Sequence, residues 1–336
     1  MSLSIILQQM GVICILVAIG IYLQKKDVID NLTSKKLSAI VVDVCNPALI
    51  MASILSGNIT ATHADLLVAA GLGAAFYALL IVLGFLIPRL LRVEPDKRRF
   101  YNLMTVYTNT GFLGIPVAKA ILPANAILYV IVINIFYSLL FYTHGLTVLG
   151  RGKGSNGSDS NKEQNDLANH KATYSFASRL RPLLHIINPG TIMSILSLVV
   201  FWYKLTLPPL IANTIEYVGN STVFLSMTLL GVFIARSNFT QSVKDVRIWA
   251  YIAVRMILTP IAIVFVMHTL SFDTTATLAM CLMASVPVGN LPMIQAEKIG
   301  EDTHILSSAI AVTTAVSIVT ITVLTSLFTY LLGSTL

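Results

Sequence analysis

The sequence predicts an all-α integral membrane protein with ten transmembrane helices, and three observations carry that prediction. Hydrophobic residues make up 56% of the 336 and charged residues 11%, with a mean hydropathy of +0.81. Soluble domains carry about 25% charged residues. The apolar residues fall in long runs, such as 66–87 and 121–150, that hold no charge. Each exceeds the roughly 20 residues that cross a hydrocarbon core. Lysine and arginine, finally, gather in alternate connectors.

The spans are expected at 4–23, 37–55, 66–87, 100–120, 125–149, 187–206, 211–234, 248–269, 274–296 and 304–332. The first lacks a basic stretch ahead of its apolar run and an A-x-A-like cleavage site, so it reads as a span and not as a signal peptide. The chain divides into a first five-helix unit at 1–150, a polar linker at 151–181 and a second five-helix unit at 182–336. The linker opens with GRGKGSNGSDSNKEQNDLANHK and is too polar to bury a core of its own.

The basic clusters are Lys25, Lys26, Lys35 and Lys36; Arg89, Arg92, Lys97, Arg98 and Arg99; six residues of the linker region; Arg236, Lys244 and Arg247; and Lys298. Cytoplasmic loops hold such excesses. Both termini are therefore expected outside, the linker inside, and the chain in the plasma membrane. The same asymmetry explains the net charge of +7. No basic stripe interleaved with aromatics suggests nucleic acid. Cys14, Cys45 and Cys281 lie in spans, and no two of the six histidines stand at i, i+4. Neither pattern points to a metal site or an enzyme. No nucleotide loop of the G-x-x-x-x-G-K-[ST] type appears, and no cofactor is expected.

Five spans per half is an odd number, so a duplicated half must insert upside down. VCNPALIMASILSG and VGNSTVFLSMTLLG each run eleven residues from Asn to Gly, from Asn46 to Gly57 and from Asn220 to Gly231. Asn46 precedes Pro116 by 70 residues, and Asn220 precedes Pro292 by 72. These landmarks predict two inverted repeats. GFLGIPVAKA and PVGNLPMIQA lie in the fourth span of each half. Pro116 lacks an N–H and clashes with the carbonyl four residues back, and Gly111 and Gly114 weaken a helix. The fourth span is expected to open at 111–116. The ninth is expected to open at 287–292, where Pro287, Gly289, Asn290 and Pro292 stand, and the two are expected to cross at Pro116 and Pro292. Backbone groups freed in lipid must line a cavity or be buried in protein. Paired broken helices are the sequence pointer to a secondary-transporter site.

NTGFLGIPVAKAILP and SVPVGNLPMIQAEKIG, with NPALI in the second span and NPGTIMSILSL in the sixth, resemble the auxin efflux carrier family. That family lies within the bile-acid/arsenite/riboflavin transporter superfamily. The resemblance covers almost the whole chain. It implies a scaffold of spans 1, 2, 6 and 7, a transport domain of the other six, an elevator-like motion and a homodimer. Bacterial members are similar to malate and malonate permeases, so it also implies a small carboxylate as cargo; protons, sodium and a counter-anion stay open as the driving species. Plant members place an acid and a lysine in the third span. Here AAGLGAAFYALL holds no charge, so a mechanism carried by that pair does not transfer.

Asn109 lies seven residues before Pro116, where the resemblance implies an amide that meets the substrate carboxylate. Thr110, Gly111, Gly114, Ile115 and Pro116 complete the opened segment. Asn290 is placed as the counterpart of Gly114, with Val288, Gly289, Leu291 and Pro292 around it. Half-helix N-termini carry a partial positive charge that attracts carboxylates. The resemblance implies a polar residue near the substrate at Asn134, and Asn46 with Pro47 is expected to open the second span towards the same pocket.

Asp43 and Arg255 are ionisable within spans, which makes both candidates for charge coupling. Both enter from the cytoplasm and sit roughly 10–12 Å deep at 1.5 Å per residue. Two readings stay open. They form an ion pair, or Arg255 snorkels to the interface while Asp43 pairs with a loop lysine. Two other functions compete with the carrier. A sodium-coupled symporter of the bile-acid type needs more carboxylates at the crossing than Glu297 supplies. A sensor on a transporter fold needs a signalling domain, and the linker is too short and polar to be one.

Overall fold

The computed structural model describes residues 3–55, 60–150, 189–236 and 243–333. Gly57, the linker 151–181 and the side chain of Glu297 lie outside the described residues. α1 (Leu3–Lys25) leads to α2 (Asn31–Ile40), which runs through a π-turn (Val41–Cys45) into α3 (Asn46–Leu55). α4 is His63–Leu90. α5 (Arg98–Val106) and α6 (Ile115–Ile121) are halves of one broken helix, the second half entered through a π-turn (Thr110–Gly114). α7 (Ala126–Leu140), a π-turn (Phe141–Gly145) and α8 (Leu146–Gly150) form one rod. α9 (Pro189–Tyr203) and α10 (Pro209–Arg236) follow. α11 (Val246–Ile252), a π-turn (Ala253–Leu258) and α12 (Thr259–Thr269) form another rod. α13 (Thr274–Ser285) and α14 (Asn290–Lys298) are the second broken helix, and α15 is His304–Gly333.

Among the described residues seven helices are long and apolar enough to cross a membrane, among them Asn31–Leu55, Ala126–Gly150 and Val246–Thr269, which run unbroken through their π-turns. Thr110–Ile121, Pro189–Tyr203 and Thr274–Ser285 are apolar but shorter. The first and last of these three are short because each is half of a broken helix. This makes the chain a multi-pass membrane protein.

The π-turns account for three prolines. Pro47, Pro116 and Pro260 each stand two residues past the end of a π-turn. In a regular helix a proline ring collides with the carbonyl four residues back. The residue before each proline instead bonds five back: Asn46 N to Val41 O, Ile115 N to Thr110 O, and Thr259 N to Val254 O. The extra residue moves the obstructing carbonyl aside. This corrects two expectations. Asn46 and Pro47 do not open the second helix, which continues to Leu55. Pro116 does not open the fourth, because it lies in the first turn of α6, where a missing N–H removes no needed bond.

The helices pack in two groups. In one, α1 and α3 both lie against α10, and α9 lies against α3. α1 and α10 touch backbone to backbone. A Cβ on Gly20 would fall 2.0 Å from Thr228 O, and one on Gly231 would fall 2.1 Å from Val17 O. Such small-residue contacts drive helix association in lipid. Arg236 fastens the end of α10 to the α1–α2 corner, donating to Gln24 Oε1 at 2.6 Å, Ser34 Oγ at 2.7 Å and the Ile29 carbonyl at 2.7 Å. In the other group α4 packs on α5 and α7, and α13 packs on α12, α7 and α15. There Arg99 forks onto Glu301 at 3.0 and 2.6 Å and also donates to the Leu149 carbonyl at 3.0 Å.

Candidate functional site

The two broken helices meet through their own backbones. Residues 107–109 and 286–289 are non-helical, and Thr108 and Val288 form an antiparallel bridge. Asn109 N donates to Pro287 O at 2.8 Å, and Gly289 N donates to Tyr107 O at 3.0 Å. Val288 N donates to Thr313 Oγ1 of α15 at 3.2 Å. Each break thus satisfies backbone groups that the other frees, as a low-dielectric surrounding requires. A Cβ on Gly289 would lie 2.8 Å from Thr108 O and 2.9 Å from Tyr107 O. Glycine is needed there for close approach.

The crossing therefore lies at Thr108 and Val288, not at Pro116 and Pro292. Residues 110–116 and 290–292 are helical, so the opening expected at 111–116 sits upstream at 107–109, while in the ninth span 287–289 of the expected 287–292 are open. Diverted hydrogen bonds accompany both breaks; Pro287 lies within the second break, and Pro116 and Pro292 fall in the first turns of the helices that follow. Counted from the bridge, Asn290 corresponds to Thr110, not to Gly114.

Around the bridge stand amides that the fold has not satisfied. Asn109 is 3% exposed. Its Oδ1 accepts the Phe112 N–H at 3.2 Å, capping the second half-helix. A backbone donor requires the amide oxygen, so Nδ2 is left over, buried and without a partner. Asn290 opens α14 at 2% exposure, with neither amide atom partnered. Thr108 Oγ1 and Asn46 Oδ1 are likewise buried and unpartnered. A buried polar atom left unpaired costs about 1–3 kcal/mol. Asn46 belongs to this set because Gly111 has no side chain: a Cβ there would fall 2.8 Å from Asn46 Nδ2. Asn134 accepts from Thr110 Oγ1 at 3.3 Å and donates to Ser194 Oγ of α9 at 3.4 Å. Gly114 lies against Met283, whose methyl would be 3.2 Å from a Cβ. Ile115, Pro116, Val288 and Pro292 are buried apolar walls, and Leu291 is partly buried. Both second halves, Thr110–Ile121 and α14, begin at the crossing and bring the positive ends of their dipoles to it.

Arg255 is 1% exposed and lies on the π-turn between α11 and α12. Its Nε donates to the Thr105 carbonyl at 3.0 Å and its Nη1 to the Ala284 carbonyl. Those carbonyls sit in the last turns of α5 and α13. Asp43 is exposed on its own π-turn. The ion pair is not formed, and Arg255 does not snorkel, because two helix ends inside the protein hold its guanidinium.

Three contributors escape sequence reading. Tyr107 is fully buried in the first break; its hydroxyl donates to the Leu140 carbonyl at 2.9 Å and stands 2.8 Å from His144 Nδ1. Ser194 and Thr313 enter as hydroxyls on helices that carry several other Ser and Thr residues, so nothing in the sequence singles them out. Among the described residues no three His, Cys, Asp or Glu side chains gather as metal ligands. No curated protein matches the chain at a significant level. The family model described as membrane transport protein matches residues 5–325, a stretch that contains both broken helices. The chain belongs to the membrane transport protein family.

Proposed function

We propose that the chain is a secondary transporter moving a small mono- or dicarboxylate, of the malate or malonate kind, across the plasma membrane by alternating access. The observation that carries this reading is the set of buried, unpartnered polar atoms on Asn46, Thr108, Asn109 and Asn290, facing two half-helix N-termini. Amide donors and helix N–H groups hold a carboxylate without a permanent ion pair. Such a hold suits a cargo that must also leave.

The seven long helices, α9 and the two broken helices make ten spans in this reading, with both termini outside and residues 151–181 in the cytoplasm. Two inverted repeats, 1–150 and 182–336, are supported by recurring neighbours: α1 on α10 as α9 on α3, and α4 on α5 as α12 on α13. The group of α1, α2, α3, α9 and α10 is the scaffold of an elevator, and the remaining helices carry the cargo. The 3.4 Å bond from Asn134 to Ser194 crosses the boundary between them and is weak enough to break. A homodimer of scaffolds completes the assembly. Asp43 is the carboxylate proposed for proton coupling, and Asp43→Asn is expected to remove any response of transport to a pH gradient.

The test is uptake of radiolabelled malate by proteoliposomes, with and without a pH gradient. Accumulation above protein-free liposomes is expected. A protein that takes up neither malate, malonate nor an aromatic carboxylate contradicts the reading.

A further inference from the structure

We infer that Arg255 is a tethered cation, standing where a broken-helix transporter would bind a coupling cation, so that the crossing is net positive and transport needs no sodium. The inference rests on reading the crossing as an anion site.

In a continuous helix the Thr105 carbonyl would accept from Asn109 N, and the Ala284 carbonyl from Val288 N. Both amides are diverted, Asn109 N to Pro287 O and Val288 N to Thr313 Oγ1. One guanidinium replaces both: Nε takes the Thr105 carbonyl and Nη1 the Ala284 carbonyl. Arg255 thus closes the two first halves at once, from a π-turn on a third helix. Half-helix C-terminal carbonyls are the groups that coordinate sodium in transporters of this architecture. Here one carbonyl of each end is already held by a fixed cation.

The charge balance follows. Each helix C-terminus carries about −0.5 charge and each N-terminus about +0.5, so the four ends at the crossing cancel. Arginine adds a full positive charge in proteins. The two groups its guanidinium bonds, the Thr105 and Ala284 carbonyls, carry no formal charge. The sum near the crossing is about +1, the complement of a single carboxylate. Arg255 is a positioning residue in this scheme. It fixes the angle of both half-helices and sets the sign of the field, while the amides touch the cargo.

The test uses the full chain, purified in detergent and reconstituted. Wild type is expected to melt at the same temperature in sodium chloride and in choline chloride. Arg255→Ala is expected to melt roughly 5 °C lower, and to recover most of that loss in millimolar guanidinium or in sodium but not in choline. Arg255→Lys, which keeps the charge, is expected to melt above Arg255→Met, which keeps the bulk. A wild type stabilised or driven by sodium overturns the inference. So does a folded Arg255→Ala that is indifferent to guanidinium and sodium, or a methionine variant more stable than the lysine variant. Wild type that takes up no carboxylate, with the melting pattern as expected, ends the carboxylate reading and leaves the assignment of Arg255 standing.

Discussion

Gly289 and Gly111 show how single residues shape the crossing. A methyl group on Gly289 would meet two carbonyls of the opposite break at 2.8 and 2.9 Å, and backbone atoms cannot step aside as a flexible side chain can. Gly289→Ala is expected to cost about 1–3 kcal/mol of stability and to abolish uptake. Gly11→Ala, with nothing within 4 Å of the added carbon, should change neither. Thermal unfolding and uptake measured on the same preparations check both. Gly111→Ala should instead leave the bridge intact and displace the Asn46 amide, weakening transport with little loss of stability. The identity of these residues was legible in the sequence, because asparagine and glycine stand out in an apolar run. Their partners were not. Thr108 and Val288 are 180 positions apart, and Arg255 bonds to carbonyls, which every residue possesses and no residue type announces.

Hydrophobic runs place the elements, and the ninth span opens at residues the sequence marks, Pro287 and Gly289, but the fourth opens upstream of its proline. Proline alone does not mark the breaker. In the α2–α3 and α11–α12 rods proline follows a π-turn that absorbs its missing bond, and in α6 it begins the helix after a break made upstream. Pro116→Ala is therefore expected to keep residues 107–109 non-helical and to leave uptake measurable. Hydrogen exchange of those amides, unchanged from wild type, is the check. A proline some way inside an apolar run is the local signal for such a turn. The break itself is a tertiary event, because it is stabilised by bonds to the other broken helix. Arg99 illustrates a second tertiary contact that no local pattern contains. Its fork onto Glu301 is partly shielded, with the two side chains 18% and 17% exposed. Arg99→Ala is expected to cost about 1–2 kcal/mol in thermal unfolding, and Arg99→Glu combined with Glu301→Arg should restore part of it.

At the scale of the whole molecule, composition decided the membrane class and the order of helices, since burial in lipid depends on summed hydropathy and tolerates local error. Grouping was harder to read. α1 lies against α10 because Gly20 and Gly231 let two backbones meet, and a glycine in an apolar run does not say which helix it faces. Gly231→Leu should separate α1 from α10 and lower the yield of folded protein. Gly71→Leu, where a Cβ meets nothing within 4 Å, should not. The same separation of scales governs the site. Its polar residues come from α3, the first break and α14, and only the fold brings their unpaired atoms to one place. The central claim is that these atoms hold the transported anion. The most direct test is the initial rate of labelled malate uptake by proteoliposomes containing wild type or Asn109→Ala, matched for folded protein. The account predicts that the substitution abolishes uptake while the melting temperature stays close to that of wild type. Uptake that continues undiminished in Asn109→Ala would contradict it and move the binding site away from the crossing.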